Sequence, residues 1–297
     1  MRAVVTGGAG FIGSNLVDAL VARGDEVTVV DNFASGKREN LNPAATLLEH
    51  DIREPFEVQA NVVFHLAAQA DVQTSVAKPG YDAQVNVVGT VNVLEAARAA
   101  GAQVIFSSTG GAIYGECPEP ATETREELPM SPYGIAKLCD EKYLFGWNRI
   151  HGTGHTVLRF GNVYGPRQDS GLEGGVVAIF LERFARGQST TIFGDGLQVR
   201  DFVYVDDVVG ALLAAVGKPG GPFNVGTGHA ESVLDLHRAA AKAAGVDAEP
   251  ELAEARLGDV RRSELDVSRI ARELGWTAQV PLDEGLRRTW DWTRSQV

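Results

Sequence analysis

The sequence predicts an α/β fold, a doubly wound parallel sheet with a smaller α/β lobe towards the C-terminal end. Three observations lead there. Short β-branched runs alternate with longer stretches of helical period through the first half of the chain. A glycine-rich turn follows the first run and opens the first helix. In the second half, glycine- and proline-rich spacers break the alternation into shorter pieces.

Ala3–Thr6, Glu26–Val30, Thr46–Glu49, Val62–Leu66 and Val104–Ser107 are brief, apolar and bounded by polar or glycine residues, as buried strands are. Phe11–Arg23, Tyr81–Ala100 and Tyr133–Ile150 carry apolar residues at helical spacing between them. Strands that alternate with helices pair in parallel through right-handed crossovers. One crossover is thin: Ile52–Ala60 is short and holds Pro55, which reduces the usual helix to a turn. Further on, helices are expected over Val176–Arg186, Asp206–Val216, Ser232–Ala243, Val267–Leu274 and Leu282–Ser295. The expected division is residues 1–160 and 161–297, with some later segments returning to the first part.

The 297 residues are 44% hydrophobic, enough for one large domain or two lobes sharing a cleft. A net charge of −12 repels a phosphate backbone and argues against nucleic acid as a partner, though not against a small anionic ligand. Cys117 and Cys139 have no metal-type spacing, the histidines show none either, and no metal is expected. Met1–Thr6 is too short for a signal peptide's apolar segment, and no stretch is long enough to span a membrane, so the expected location is the cytoplasm.

The turn reads Thr6-Gly7-Gly8-Ala9-Gly10-Phe11-Ile12-Gly13. Gly7 permits the tight bend, Gly10 lets backbone approach a pyrophosphate, and Gly13 lets the helix lie close to the strand. The helix N-terminus then offers free N–H groups and partial positive charge to phosphates. Asp31 follows Gly10 by 21 residues, at the end of the second strand. That context marks a Rossmann-type dinucleotide site. A carboxylate there accepts hydrogen bonds from ribose hydroxyls and repels a 2′-phosphate, which favours NAD over NADP. Lys37 and Arg38 read as solvated loop charges rather than phosphate ligands. Asp51 has two readings, a contact to the adenine amine or a turn-forming aspartate.

Tyr133 and Lys137 are four apart at the start of a helix and share one face. An ammonium about 5 Å away, at an effective dielectric of about 20, would favour the phenolate by roughly 3 kcal/mol and lower its pKa by about two units. The pair is then a base for an alcohol whose carbon is oxidised.

At this point the chain resembles the UDP-glucose 4-epimerase (UDP-galactose 4-epimerase) group of extended short-chain dehydrogenase/reductases. The likeness runs end to end. It is carried by the glycine turn, His65-Leu66-Ala67-Ala68-Gln69, Ser107-Ser108-Thr109-Gly110-Gly111-Ala112-Ile113-Tyr114-Gly115, the Tyr-Lys pair and Leu158–Gln168. Gly194-Asp195-Gly196, Val199-Arg200-Asp201-Phe202 and Arg256-Leu257-Gly258-Asp259 continue it.

The resemblance implies that Tyr133 and Lys137 are catalytic, with Thr109, or failing it Ser108, bonding the sugar O4. It implies cofactor contacts from Gly7, Gly10, Phe11, Ile12, Gly13, Asp31, Asn32, Asp51, Ile52, Leu66, Ala67, Ala68, Asn86 and Lys137. Besides Thr109 and Tyr133, the implied contacts to the UDP-hexose are Asn162, Val176, Arg200, Arg256 and Asp259. The implied reaction oxidises C4, turns the 4-keto sugar and reduces it on the other face, with NAD retained and a homodimer formed by paired helices. Dehydration or decarboxylation would need an acid after Thr109, where Gly110 and Gly111 stand. UDP-glucuronate 4-epimerase stays open, and the small Ser263 leaves room for an N-acetyl group. Two other readings are a non-catalytic dinucleotide sensor, which would tend to lose the Tyr-Lys pair, and an alcohol dehydrogenase, which would release reduced cofactor.

Overall fold

The computed structural model describes residues 1–171, 175–255 and 260–297. Its main sheet joins β1 (Arg2–Thr6), β2 (Glu26–Asp31), β3 (Thr46–Glu49), β4 (Val62–His65), β5 (Gln103–Thr109) and β6 (Thr156–Phe160) with β10 (Gly220–Val225). The order is β10-β6-β5-β4-β1-β2-β3, and every pair is parallel. The order reverses at β1, which lies between β2 and β4, so a crevice opens beyond the carboxyl ends of those strands. Apolar residues cover both sheet faces, as an all-parallel sheet requires.

The helices of the first half are α1 (Phe11–Ala22), α2 (Val72–Ala77), α3 (Pro79–Ala83), α4 (Gly89–Ala100), α5 (Gly110–Ile113) and α6 (Pro132–His151). Residues 50–61 hold no helix, matching the thin crossover. The helix expected over Tyr81–Ala100 is instead α3 and α4 joined by a wider π-type turn over Gln84–Val88. The wider turn carries Asn86, whose side chain bonds both backbone groups of Gln69, and that use of the helix surface is invisible to periodicity. Neither α2 nor α5 was legible, because each is too short to show a period.

The second half adds β7 (Asn162–Tyr164), α7 (Val176–Ala185), β8 (Thr191–Phe193), β9 (Val199–Tyr204), α8 (Val205–Ala214) and β11 (Ala230–Ser232). It continues with α9 (Val233–Ala244), β12 (Glu251–Ala253), β13 (Arg262–Ser263), α10 (Ser268–Leu274) and α11 (Leu282–Thr293). All five helices expected there are present within a residue or two of their expected ends. β7, β11 and β13 gather on β9, and β12 pairs with β8. Helices α7, α9 and α11 enclose a second apolar cluster around Phe180, Leu236 and Leu286. The last strand of the main sheet, β10, comes from the second half, as does α8 packed on α1.

Candidate active site

A groove of about 740 Å³ opens at the strand reversal. Gly7, Gly10, Phe11, Ile12, Gly13, Asp31, Asn32, Asp51, Ile52, Leu66, Ala67, Ala68 and Asn162 all line it. Gly7 has φ +71°, and a Cβ there would meet the Ala67 nitrogen at 2.7 Å. At Gly13 a Cβ would fall 2.1 Å from the Gly7 carbonyl oxygen, whereas at Gly10 only that same oxygen comes near, at 3.2 Å. Gly7 and Gly13 are therefore fixed by packing, and Gly10 keeps an open face towards the groove. Helix α1 starts at Phe11 without any side-chain cap and with no acid in its first turn, so its leading N–H groups are left for a ligand.

Asp31 accepts from the backbone N–H of Ala9 at 2.9 Å and of Phe33 at 2.8 Å, which ties the glycine turn to the end of β2. Asp51 accepts from Asn32 Nδ2 at 2.9 Å and pairs with Arg53 at 2.7 Å, and these partners hold its carboxyl well below the usual range. It also accepts from the Arg53 backbone N–H, so the turn-forming reading is realised while the residue lines the groove. Lys37 and Arg38 are paired, with Asp169 at 3.0 Å and Glu49 at 2.5 Å. Beneath the groove floor, His65 bonds Thr6 at 2.8 Å and Thr90 at 3.0 Å through its two ring nitrogens. Burial, with the Lys137 charge, pushes its pKa down to about 3, so this histidine is a neutral structural residue.

Helix α6 sets the reacting group. Ser131 caps it by accepting from the Gly134 N–H at 3.1 Å, with Pro132 at the first helical position. Tyr133 then stands in its first turn, close enough to the Thr109 hydroxyl at the end of β5 for that hydroxyl to favour the phenolate. One turn on, Lys137 is buried, donates to the Ser107 carbonyl at 3.0 Å and lies 4.6 Å from the Phe106 ring centre. Ser107 lines the groove, so the ammonium sits directly behind the wall.

The expected lowering of the tyrosine pKa by this lysine is not what the structure shows. Burial raises the Tyr133 phenol, and Asp82 and Asp140 raise it further; only Thr109 favours the phenolate. Burial likewise lowers Lys137, opposed by Asp140, Asp82 and Glu141. The four-residue Tyr-Lys spacing accounts for the ammonium but carries no sign of the two acids. Asp82 arrives from α3 and accepts from Gln69 at 2.8 Å and Asn86 at 3.0 Å. Asp140 comes from α6 itself, fully buried with no well-formed hydrogen bond among the described residues, and burial raises its pKa well above the carboxylate range. Its spacing of three from Lys137 was the one available signal.

Ser108 is not beside Tyr133. Side chains alternate across a strand, so Ser107 and Thr109 face one side of β5 and Ser108 the other. Its hydroxyl donates to Glu141 at 2.5 Å, within a buried group where Arg159 holds both oxygens of Glu141, at 2.9 and 2.6 Å. Arg159 also donates to Tyr114 at 2.8 Å and Glu127 at 2.8 Å. Thr109 is the hydroxyl at the site.

On the sugar side, a Cβ on Gly111 would lie 3.8 Å from both Thr109 Oγ1 and Asn162 Oδ1, so those two atoms flank one corner. A Cβ on Gly110 would instead meet Leu265 at 2.7 Å. Val176 begins α7 and packs on the second apolar cluster. Arg200 lies on β9 between Glu231 and Ser263 in register, its Nη1 donating to the Val199 carbonyl at 2.8 Å. The structure does not bring Val176 or Arg200 to the groove wall. Arg256 and Asp259 lie outside the described residues.

Comparison with known proteins fits this geometry. A model of the NAD dependent epimerase/dehydratase family matches residues 3–226. The chain belongs to that family. Among the family's members, a UDP-glucose 4-epimerase of Mycolicibacterium smegmatis is 46% identical over all of this chain and 99% of its own length. The crystal structure of a Thermotoga maritima UDP-glucose 4-epimerase with UDP-glucose superposes with a TM-score of 0.95 at 48% identity, covering 100% of this chain and 99% of that one. A Thermus thermophilus UDP-glucose 4-epimerase in complex with NAD gives 0.93 at 44% identity, covering both chains fully. The open face at Gly10, the uncapped start of α1 and the carboxylate of Asp31 fit the family's NAD.

Proposed function

We propose that this protein interconverts UDP-glucose and UDP-galactose by inverting C4 through a transient 4-keto sugar, with NAD as resident cofactor. The observation that carries the reading is Tyr133 beside Thr109, with Lys137 on the carbonyl of the groove-lining Ser107, in a chain this similar to UDP-glucose 4-epimerases. Thr109 and Tyr133 receive the sugar O4. Tyr133 takes the O4 proton on its phenol oxygen and returns it to the same oxygen after the sugar has turned. Lys137, held by the Ser107 carbonyl, offsets the negative charge of the phenolate. NAD supplies the oxidising power at C4 and recovers its original state within each turnover. Burial and two acids raise the phenol in the free protein, and a bound cationic nicotinamide would act in the opposite direction.

Gly7, Gly10, Phe11, Ile12 and Gly13 would hold the pyrophosphate, Asp31 and Asn32 the adenosine ribose, and Asp51 with Ile52 the adenine. Leu66, Ala67, Ala68, Asn86 and Lys137 belong to the nicotinamide side. Asn162, Val176 and Arg200, with Arg256 and Asp259, form the UDP end. We assign residues 1–160 to cofactor binding and 161–297 to the sugar nucleotide. A homodimer through α3–α4 and α6 is supported by the exposed Val88, Ile135 and Ile150 on those helices; sedimentation as a single 31.7 kDa species would refute it. A cytoplasmic location is part of this reading, supported by the absence of any helix among the described residues long and apolar enough to cross a membrane.

The test is a panel of UDP-sugars assayed for C4 inversion without added NAD. UDP-galactose should yield UDP-glucose. Inversion of UDP-glucuronate alone would replace this reading with the uronate one. No turnover despite bound NAD would leave a sensor.

A further inference from the structure

We propose that Lys37 and Asp169 clasp the two rims of the cofactor groove and slow the escape of the bound dinucleotide; this rests on the reading of the groove as an NAD site. One rim is the loop after β2. Ala34, Ser35 and Gly36 line the groove, and Lys37 follows with its backbone N–H on the Ala9 carbonyl at 3.0 Å. A Cβ on Gly36 would come within 2.9 Å of both Ala9 Cβ and Asp31 Oδ1, so this rim is folded tightly onto the glycine turn.

The other rim is residues 166–171, where Gln168, Asp169 and Gly171 line the groove. It is fastened to α1 by Arg167 on Asp18 at 2.7 Å and by Asn15, whose amide donates to the Pro166 carbonyl at 3.2 Å. Gln168 adds a bond to the Val163 carbonyl at 2.9 Å. Across the gap, Lys37 Nζ stands 3.0 Å from Asp169 Oδ2. The other carboxylate oxygen accepts from the Gly171 N–H at 2.8 Å, which aims the group before the lysine arrives.

Backbone strain marks the same two rims. Among the described residues, two non-glycine residues adopt positive φ: Phe33, at +57°, and Arg167, at +71°. One lies in each rim. Such conformations persist where the surroundings hold them, and here Asp31 Oδ1 anchors the Phe33 N–H at 2.8 Å. The ion pair itself is half-exposed, so it adds little to folding. A ligand held between the two rims it joins would have to part them to leave. An isomerase that consumes no net cofactor is served by slow release.

The experiment compares wild type, Lys37→Ala, Asp169→Ala and the charge-reversed Lys37→Asp/Asp169→Lys protein. Each is loaded with NAD, desalted rapidly, and followed for loss of NAD from the protein fraction, with thermal unfolding measured alongside. Each single variant should release NAD about two- to five-fold faster, with reversal restoring the rate to near wild type. High salt should speed release from wild type and leave the single variants unchanged. Equal release from all four proteins would overturn the proposal. So would fast release from Lys37→Ala with wild-type release from Asp169→Ala, which would make Lys37 a direct phosphate ligand. A release change matched by a lowered unfolding temperature in every variant, reversal included, would reduce the pair to a structural role. If no version retained NAD at all, the cofactor reading would fall with it; retention without a clasp effect would remove the clasp alone.

Discussion

Two faces of one strand divide the polar chemistry of this protein. Ser108 and Thr109 are neighbours on β5, and α6 supplies side chains to both of their surroundings. On the Ser108 face, Ser108 and Arg159 donate to Glu141, Arg159 donates also to Tyr114, and Asn224 accepts from the Tyr114 hydroxyl at 2.8 Å. On the Thr109 face, Tyr133 is raised by burial and two acids, Lys137 is lowered, and Asp140 has no well-formed partner among the described residues. Full pairing of buried charge marks a structural network. Charges left incompletely balanced around a groove mark a reacting site. The two faces should therefore respond differently to substitution.

The largest effect is expected at Tyr133. Tyr133→Phe should lower turnover by roughly 10²–10⁴-fold with an unchanged unfolding temperature, since only the proton carrier is lost. Next comes the opposite face: Glu141→Ala leaves Arg159, whose side chain is 1% exposed, with Glu127 as its remaining carboxylate, and should cost about 2–3 kcal/mol in urea denaturation. A Glu141→Ala protein of wild-type stability would erase the distinction between the faces.

Adjacent residues sharpen it further. Thr109→Ala should reduce kcat about 10–100-fold and barely change stability, from loss of one hydrogen bond to a charged group. Ser108→Ala should do the reverse, costing about 1–2 kcal/mol of stability with kcat retained.

A further effect concerns pH. His65, on the groove side, is held down at about 3, below the unfolded value near 6.5. Its contribution is complete above 6.5 and is lost as the pH falls through that value towards 3, because the unfolded chain binds the proton first. Between pH 7 and 5 the loss should be about 2 kcal/mol. A His65→Gln protein should lose less stability over the same interval by that amount; an equal loss would show that His65 is not forced neutral.

Much of this was legible in the sequence where one residue type has one physical use. Gly7, Gly13 and Asp31 are such positions: the first two admit no Cβ, and the third binds two backbone N–H groups at a strand end. Nothing beyond the resemblance favours Thr109 over Ser108 in the sequence, because a glycine pair blurs the register; the pleat supplies the physical reason. Nor were Asp82 and Asp140 visible as electrostatic partners, since burial and a contact between α3 and α6 create that role. Lys37 reads as a loop charge until Asp169, far along the chain, is placed opposite it.

The most direct test of the central claim uses UDP-galactose carrying deuterium at C4, incubated with the purified protein without added NAD. The account predicts UDP-glucose that retains the deuterium at C4, because the hydrogen leaves and returns within one closed site. Product with protium from water at C4, or accumulation of the 4-keto sugar in place of UDP-glucose, would contradict it.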